Sequence, residues 1–272
     1  MRNYVLLIAL SLFLLDVYAQ EVKYIETENI QFQPNETFYL FGNDVKFRAE
    51  PSTESDVIEV LKINSRVTVL SEENSTYDYN GISWKWYKVS YKNKVGYIIG
   101  GLLSLDQKAV GDSIYLISFK QNTLEGGYDL LIRLVNKKTL EYIELPYNLR
   151  DTDIFSIDVY DNKGLSSIKD MFLIDFMAEA CGVDGGGCYF FNDGESLTKA
   201  IQFSRMVDGD LYWQYEKVVF PRDHGGIKDK ILFVSEHGET LNEDTNYKKV
   251  ITESIEFTWK GKFLEIKNEE SE

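Results

Sequence analysis

Residues 45–70, VKFRAEPSTESDVIEVLKINSRVTVL, and residues 80–103, NGISWKWYKVSYKNKVGYIIGGLL, decide the fold of this chain. Val45 and Phe47 alternate with Lys46 and Arg48, the signature of a half-buried strand. Glu50-Pro51-Ser52-Thr53 then reads as a turn, because Pro fixes φ and Ser and Thr favour turn bonding. The apolar pattern resumes over Val57–Leu61, and Asn64-Ser65 reverses the chain into Arg66–Leu70, Asn being tolerant of a left-handed backbone. Ser71–Gly81 reads as a loop carrying Tyr77 and Tyr79. In Trp84-Lys85-Trp86-Tyr87-Lys88-Val89, period two puts Trp84, Trp86 and Lys88 on one face and Tyr87 and Val89 on the other. With Tyr87 and Val89 as the core pair, both tryptophans are expected to face outward.

In order and spacing, these residues resemble bacterial Src-homology-3-like (SH3b) domains. The resemblance rests on Val45-Lys46-Phe47-Arg48-Ala49, Pro51-Ser52, Trp86-Tyr87-Lys88-Val89 and Gly96-Tyr97-Ile98 and covers about a quarter of the chain, residues 38–105. Three departures stand out: Glu50 where the family has Gly, an insertion of Ile82–Lys85 before Trp86, and Tyr97 where the family has Trp. The resemblance implies a small five- to six-stranded barrel that binds peptides, often of the bacterial cell wall, beside the loop after the first strand. By position it makes Arg48, Glu50, Trp84, Trp86 and Tyr97 candidate ligand residues, with Tyr77 and Tyr79 from the long loop. Aromatic faces beside a charged rim give large contact area at low entropic cost.

The N-terminus bears on compartment. Met1-Arg2-Asn3 precedes an apolar run from Tyr4 to Leu15, and Val17-Tyr18-Ala19 supplies small residues before Gln20. This is the layout of a secretory signal peptide over residues 1–19, and the run is short for a membrane span. The expectation is export to the periplasm or medium, with cleavage near Ala19 and no membrane anchor left on the mature chain. Residues 1–19 hold one Arg and one Asp, so the net charge of −15 survives their removal. So acidic a chain disfavours nucleic acid and anionic membranes as partners.

Composition points to β structure, with 18 Tyr and 16 Phe against 4 Pro. Residues 20–37 form a polar lead-in from which KYIET and NIQFQ can add edge strands. Residues 106–267 read as a larger antiparallel β domain of about ten short strands, a sandwich, curved sheet or open barrel, before an acidic tail at 268–272. The fold class is therefore all-β.

Catalytic chemistry finds little support. Cys181 and Cys188 flank a glycine-rich stretch in an exported chain, so a disulfide is the expectation, worth about 2–3 kcal/mol in the chain-entropy view. A cysteine peptidase would need a nucleophile at a helix N-terminus with a positioned His. The two histidines, His224 and His237, read as loop residues, and no zinc-binding spacing includes them. Carboxylate pairs at Asp151/Asp153, Asp158/Asp161, Asp208/Asp210 and Glu243/Asp244 lack the calcium-loop pattern. No cofactor or metal is expected. The leading expectation is a non-enzymatic, exported binding protein for a peptide or cell-wall fragment. The alternatives are an acidic envelope protein that captures or inhibits a basic partner protein such as a lysozyme, and a cell-wall hydrolase with an unrecognised site.

Overall fold

The computed structural model describes residues 22–149, 154–178, 185–209, 211–242 and 247–266. The expected signal segment 1–19, Cys181, the acidic tail and the carboxylates Asp151, Asp153, Asp210, Glu243 and Asp244 lie outside these residues. The first strands are β1 (Ile25–Glu26), β2 (Thr37–Tyr39), β3 (Val45–Arg48), β4 (Val57–Leu61), β5 (Arg66–Tyr79), β6 (Ile82–Tyr91) and β7 (Lys94–Ile99). After a single 3-10 turn at Gly100–Leu102 come β8 (Gln107–Val110), β9 (Ser113–Gln121), β10 (Tyr128–Asn136) and β11 (Tyr142–Asn148). The chain continues through β12 (Ile154–Asp161), β13 (Asp170–Phe176), β14 (Gly185–Asn192) and β15 (Leu197–Asp208). It ends in β16 (Tyr212–Val219), β17 (Ile231–Asn242), β18 (Tyr247–Trp259) and β19 (Leu264–Ile266).

These strands make three antiparallel sheets. Six strands form the SH3-like part in the order β2-β5-β6-β7-β3-β4. Four form a central sheet, β11-β10-β9-β8, and nine form a meander, β1-β12-β13-β14-β15-β16-β17-β18-β19. Ile25–Glu26 of the lead-in does supply an edge strand, paired with β12. The second piece does not: Phe32 packs into the core, 4.9 Å edge-to-face from Phe38 and 5.2 Å from Tyr87.

The central sheet is buried on both faces, which explains the unbroken run Ser113–Phe119 in β9. Tyr115, Ile117 and Phe119 point to the nine-stranded sheet, where Tyr115 stacks on Phe172 at 5.1 Å. Ile114, Leu116, Leu131 and Val135 join Phe41 and Ile63 on the side of the SH3-like sheet. One apolar cluster therefore runs from Phe47 and Val89 through Phe119 and Phe155 to Phe190, across the junction near residue 105. The nine-stranded sheet also curls on its far side, where Phe191 of β14 meets Trp259 of β18 at 5.0 Å and Tyr189 meets Phe220 at 5.1 Å.

At the core of this packing sits Asp170, which is buried. Its carboxylate accepts hydrogen bonds from Ser113 Oγ (2.5 Å), Tyr115 OH (2.5 Å) and Asn192 Nδ2 (2.8 Å). Three satisfied bonds are what a buried carboxylate requires, and here they tie the central sheet to β13 and β14.

Several expectations are corrected. Ser71–Gly81 is not a loop: β5 runs to Tyr79 and pairs with Ile82–Lys85 across a two-residue turn. Asn80 and Gly81, with φ of 56° and 78°, supply the left-handed pair that a tight hairpin needs. The polar residues between Glu72 and Thr76 are absorbed as a bulge instead of ending the strand. The inserted Ile82–Lys85 thus lengthens a hairpin. His237 lies in β17, its Nε2 2.9 Å from Ser235 Oγ, whereas His224 does lie in a turn.

Candidate functional site

The SH3-like sheet positions the candidate residues by register. Tyr97 of β7 is flanked by Lys88 of β6 on one side and Arg48 of β3 on the other. Arg48 in turn faces Val57 of β4, across a bulge. Lys88, Tyr97, Arg48 and Val57 thus form one row across four strands, at the foot of the loop that joins β3 to β4. Arg48 closes that loop: it is 9% exposed, and its Nη1 donates to the Ser55 carbonyl at 2.7 Å. The N–H of Glu50 donates to Ser55 Oγ at 2.8 Å, and the Ala49 N–H to the Asp56 carbonyl at 3.0 Å. Glu50 keeps a negative φ, so the turn accepts an ordinary residue where the family has Gly, and its side chain is exposed.

Around the row the surface is apolar with a charged rim. Val57, Ile58 and Val60 of the edge strand β4 are exposed, as is Val95 of β7. Lys94 Nζ bridges to Glu59 at 2.7 Å, and this lysine holds the Glu59 carboxyl below its ordinary range. Sequence reasoning missed Val57, Ile58, Val60, Val95 and Lys88. Val57–Leu61 reads in the sequence only as a resumed apolar pattern, and of that strand the structure buries Leu61 alone.

Trp84 and Trp86 do not face outward, which corrects the sequence expectation. Both are 4% exposed. The Trp84 ring lies on the 3-10 turn, where a Cβ on Gly101 would stand 2.6 Å from the indole nitrogen. That nitrogen donates to the Tyr79 carbonyl at 3.2 Å. Ser118 of the central sheet donates to the carbonyl of the same Gly101 at 3.3 Å, so the sheet backs the turn that covers Trp84. Trp86 is buried opposite Ile99 of β7. Tyr87 and Val89 are core residues, as the sequence indicates. β6 therefore buries both faces, and alternation alone cannot reveal that.

The remaining candidates divide. Tyr79 packs against the main core, where burial raises its phenol pKa. Tyr77 is exposed, but it stands opposite Trp84, four residues along β6 from Lys88, or about 13 Å from the row. The structure thus brings together Arg48, Glu50 and Tyr97 and leaves Tyr77, Tyr79, Trp84 and Trp86 elsewhere.

Cys188 is a free thiol buried in β14, and burial pushes its pKa up to about 11. So high a pKa leaves almost no thiolate at neutral pH, which suits a packing residue and not a nucleophile. The expected partner Cys181 is outside the described residues, and Gly185–Gly187 belong to the strand. Among the described residues no three His, Cys, Asp or Glu side chains gather as a metal site would require.

No curated protein and no solved structure matches the chain. Residues 43–104, the stretch that holds β3 to β7 and the row built on Tyr97, match the family of the bacterial SH3 domain.

Proposed function

We propose that this is an exported, non-enzymatic binding protein whose SH3-like sheet holds an extended peptide of the bacterial cell wall along the Lys88–Tyr97–Arg48–Val57 row. The observation that carries the reading is the row itself. A half-exposed aromatic stands between two cationic side chains and beside exposed valines, under a loop fixed by Arg48. Such a surface offers an apolar body to the peptide's side chains and the Lys88 ammonium to its carboxylates, while Arg48 holds the loop above it. Wall stem peptides are short, extended and rich in carboxylates, so they suit both features.

The apolar face of Trp84 serves a different purpose, packing on the Gly101 turn that Ser118 of the central sheet backs, and Trp86 is buried opposite Ile99 within the SH3-like sheet. Cosedimentation with purified cell wall tests the proposal. The wild-type chain is retained, and Tyr97→Ala lowers retention severalfold; an unretained wild type, or equal retention of the variant, rejects it.

A further inference from the structure

The nine-stranded sheet ends in an edge that most of its length leaves open. β18 pairs with β17 from Tyr247 to Phe257, but β19 meets it only at Phe257–Trp259, and among the described residues nothing pairs with β18 before Phe257 on that side. Residues 248–255 are exposed on both faces of the strand. Val250, Ile251 and Ile255 are 51%, 46% and 45% exposed. A row of N–H and C=O groups with no partner strand among the described residues, beside exposed branched side chains, is a template for one more strand.

The residues themselves indicate which strand. Two copies of β18 pairing antiparallel are related by a two-fold axis normal to the sheet, so each residue must face one of the same parity. Centring that axis on Ile251 sets Ile251 against its own copy, Lys249 against Glu253 twice, and Val250 against Thr252 twice. Moving the centre to Thr252 would place Ile251 on Glu253, and moving it to Glu253 would oppose two carboxylates. Centring on Val250 would set Lys249 against Ile251. Only the Ile251 register matches apolar with apolar and cation with anion. The existing contact of Lys249 with Glu239 is a loose 3.9 Å between exposed groups and does not compete strongly.

We propose that β18 is a dimerisation edge, pairing with β18 of a second copy about Ile251 and joining two nine-stranded sheets into one. A strand pair of about seven residues is a small interface, so association belongs in the micromolar range.

Sedimentation velocity of the purified whole chain from about 1 to 100 µM tests this. The wild type shifts from monomer towards dimer over that range. Lys249→Glu and Glu253→Lys each weaken association about tenfold or more, because each replaces two attractions with two repulsions. The double variant Lys249→Glu/Glu253→Lys restores it to within about threefold, and circular dichroism of the single variants matches the wild type. A chain that stays monomeric at every concentration, as an edge reserved for another protein's strand would leave it, overturns the proposal. So does a dimer indifferent to either single reversal.

Discussion

The indole of Trp84 lies on Gly101, so close that a Cβ on the glycine would stand 2.6 Å from the ring nitrogen. This contact joins the SH3-like sheet to the central sheet through Ser118, which bonds the Gly101 carbonyl. It also removes Trp84 from any ligand surface. Gly101→Ala should therefore destabilise the whole chain by about 1–3 kcal/mol through overpacking, and Trp84→Ala by about 3–5 kcal/mol. Urea unfolding monitored by circular dichroism measures both. A neutral Gly101→Ala would mean that the turn and the ring are not in contact.

Asp170 holds the second junction. Asp170→Leu removes a carboxylate that satisfies Ser113, Tyr115 and Asn192, leaving three buried polar side chains without that acceptor. The expected cost is about 3 kcal/mol or more, with Asp170→Asn intermediate because an amide still offers one acceptor oxygen. Equal stability of Asp170→Leu and wild type in the same unfolding measurement would contradict the network.

Alkaline pH should unfold the protein through its buried acids. Burial pushes the phenols of Tyr87 and Tyr189 up to about 12 and the Cys188 thiol up to about 11. Glu72, which accepts a hydrogen bond from Tyr87 OH at 3.1 Å, adds to the first of these shifts. The unfolded chain loses these protons at the ordinary values near 9 to 10, earlier than the folded one. Between those values and about 12 the folded state holds more protons, so stability falls as pH rises. The urea midpoint should drop over pH 9–12, with one class of tyrosines ionising only on unfolding. A phenolate absorbance titration in which every tyrosine ionises near pH 10 with the fold intact would contradict the burial.

The thiol of Cys188 should react with an alkylating reagent only after denaturation. Peptide mapping after labelling of folded and unfolded protein checks this. Rapid labelling of Cys188 in the folded chain, or labelling that requires reduction even after unfolding, would contradict a free buried thiol.

The barrel was legible in the sequence because its signals are local. Alternation in Val45–Arg48, the Asn64 turn and the Trp86–Val89 strand depend on near neighbours. The antiparallel β character of residues 106–267 was legible for the same reason, although the described residues there form twelve strands, β8 to β19, where about ten are expected. The hairpin extension was not, since the polar stretch after Glu72 resembles a loop and only cross-strand pairing makes it a bulge. Nor was the burial of Trp84 and Trp86. What covers Trp84 is Gly101 together with the central sheet behind it, more than fifteen residues away in the chain. Of the proposed row, Arg48 and Tyr97 are among the residues singled out by position in the sequence, and Glu50 lies in the loop beside it. Val57, Ile58 and Val60 were missed because an apolar run looks the same on an edge as in a core.

The central claim is that ligand is held at Tyr97 and not at the more conspicuous tryptophans or at Tyr77. Isothermal titration with soluble peptides released from purified cell wall tests it most directly, comparing wild type, Tyr97→Ala, Val57→Asp and Tyr77→Ala. Tyr97→Ala and Val57→Asp should each weaken binding about tenfold or more, as loss of an aromatic or apolar anchor does, while Tyr77→Ala, about 13 Å away, leaves it unchanged. Binding lost on Tyr77→Ala and kept on Tyr97→Ala, or no binding by the wild type, would contradict the account.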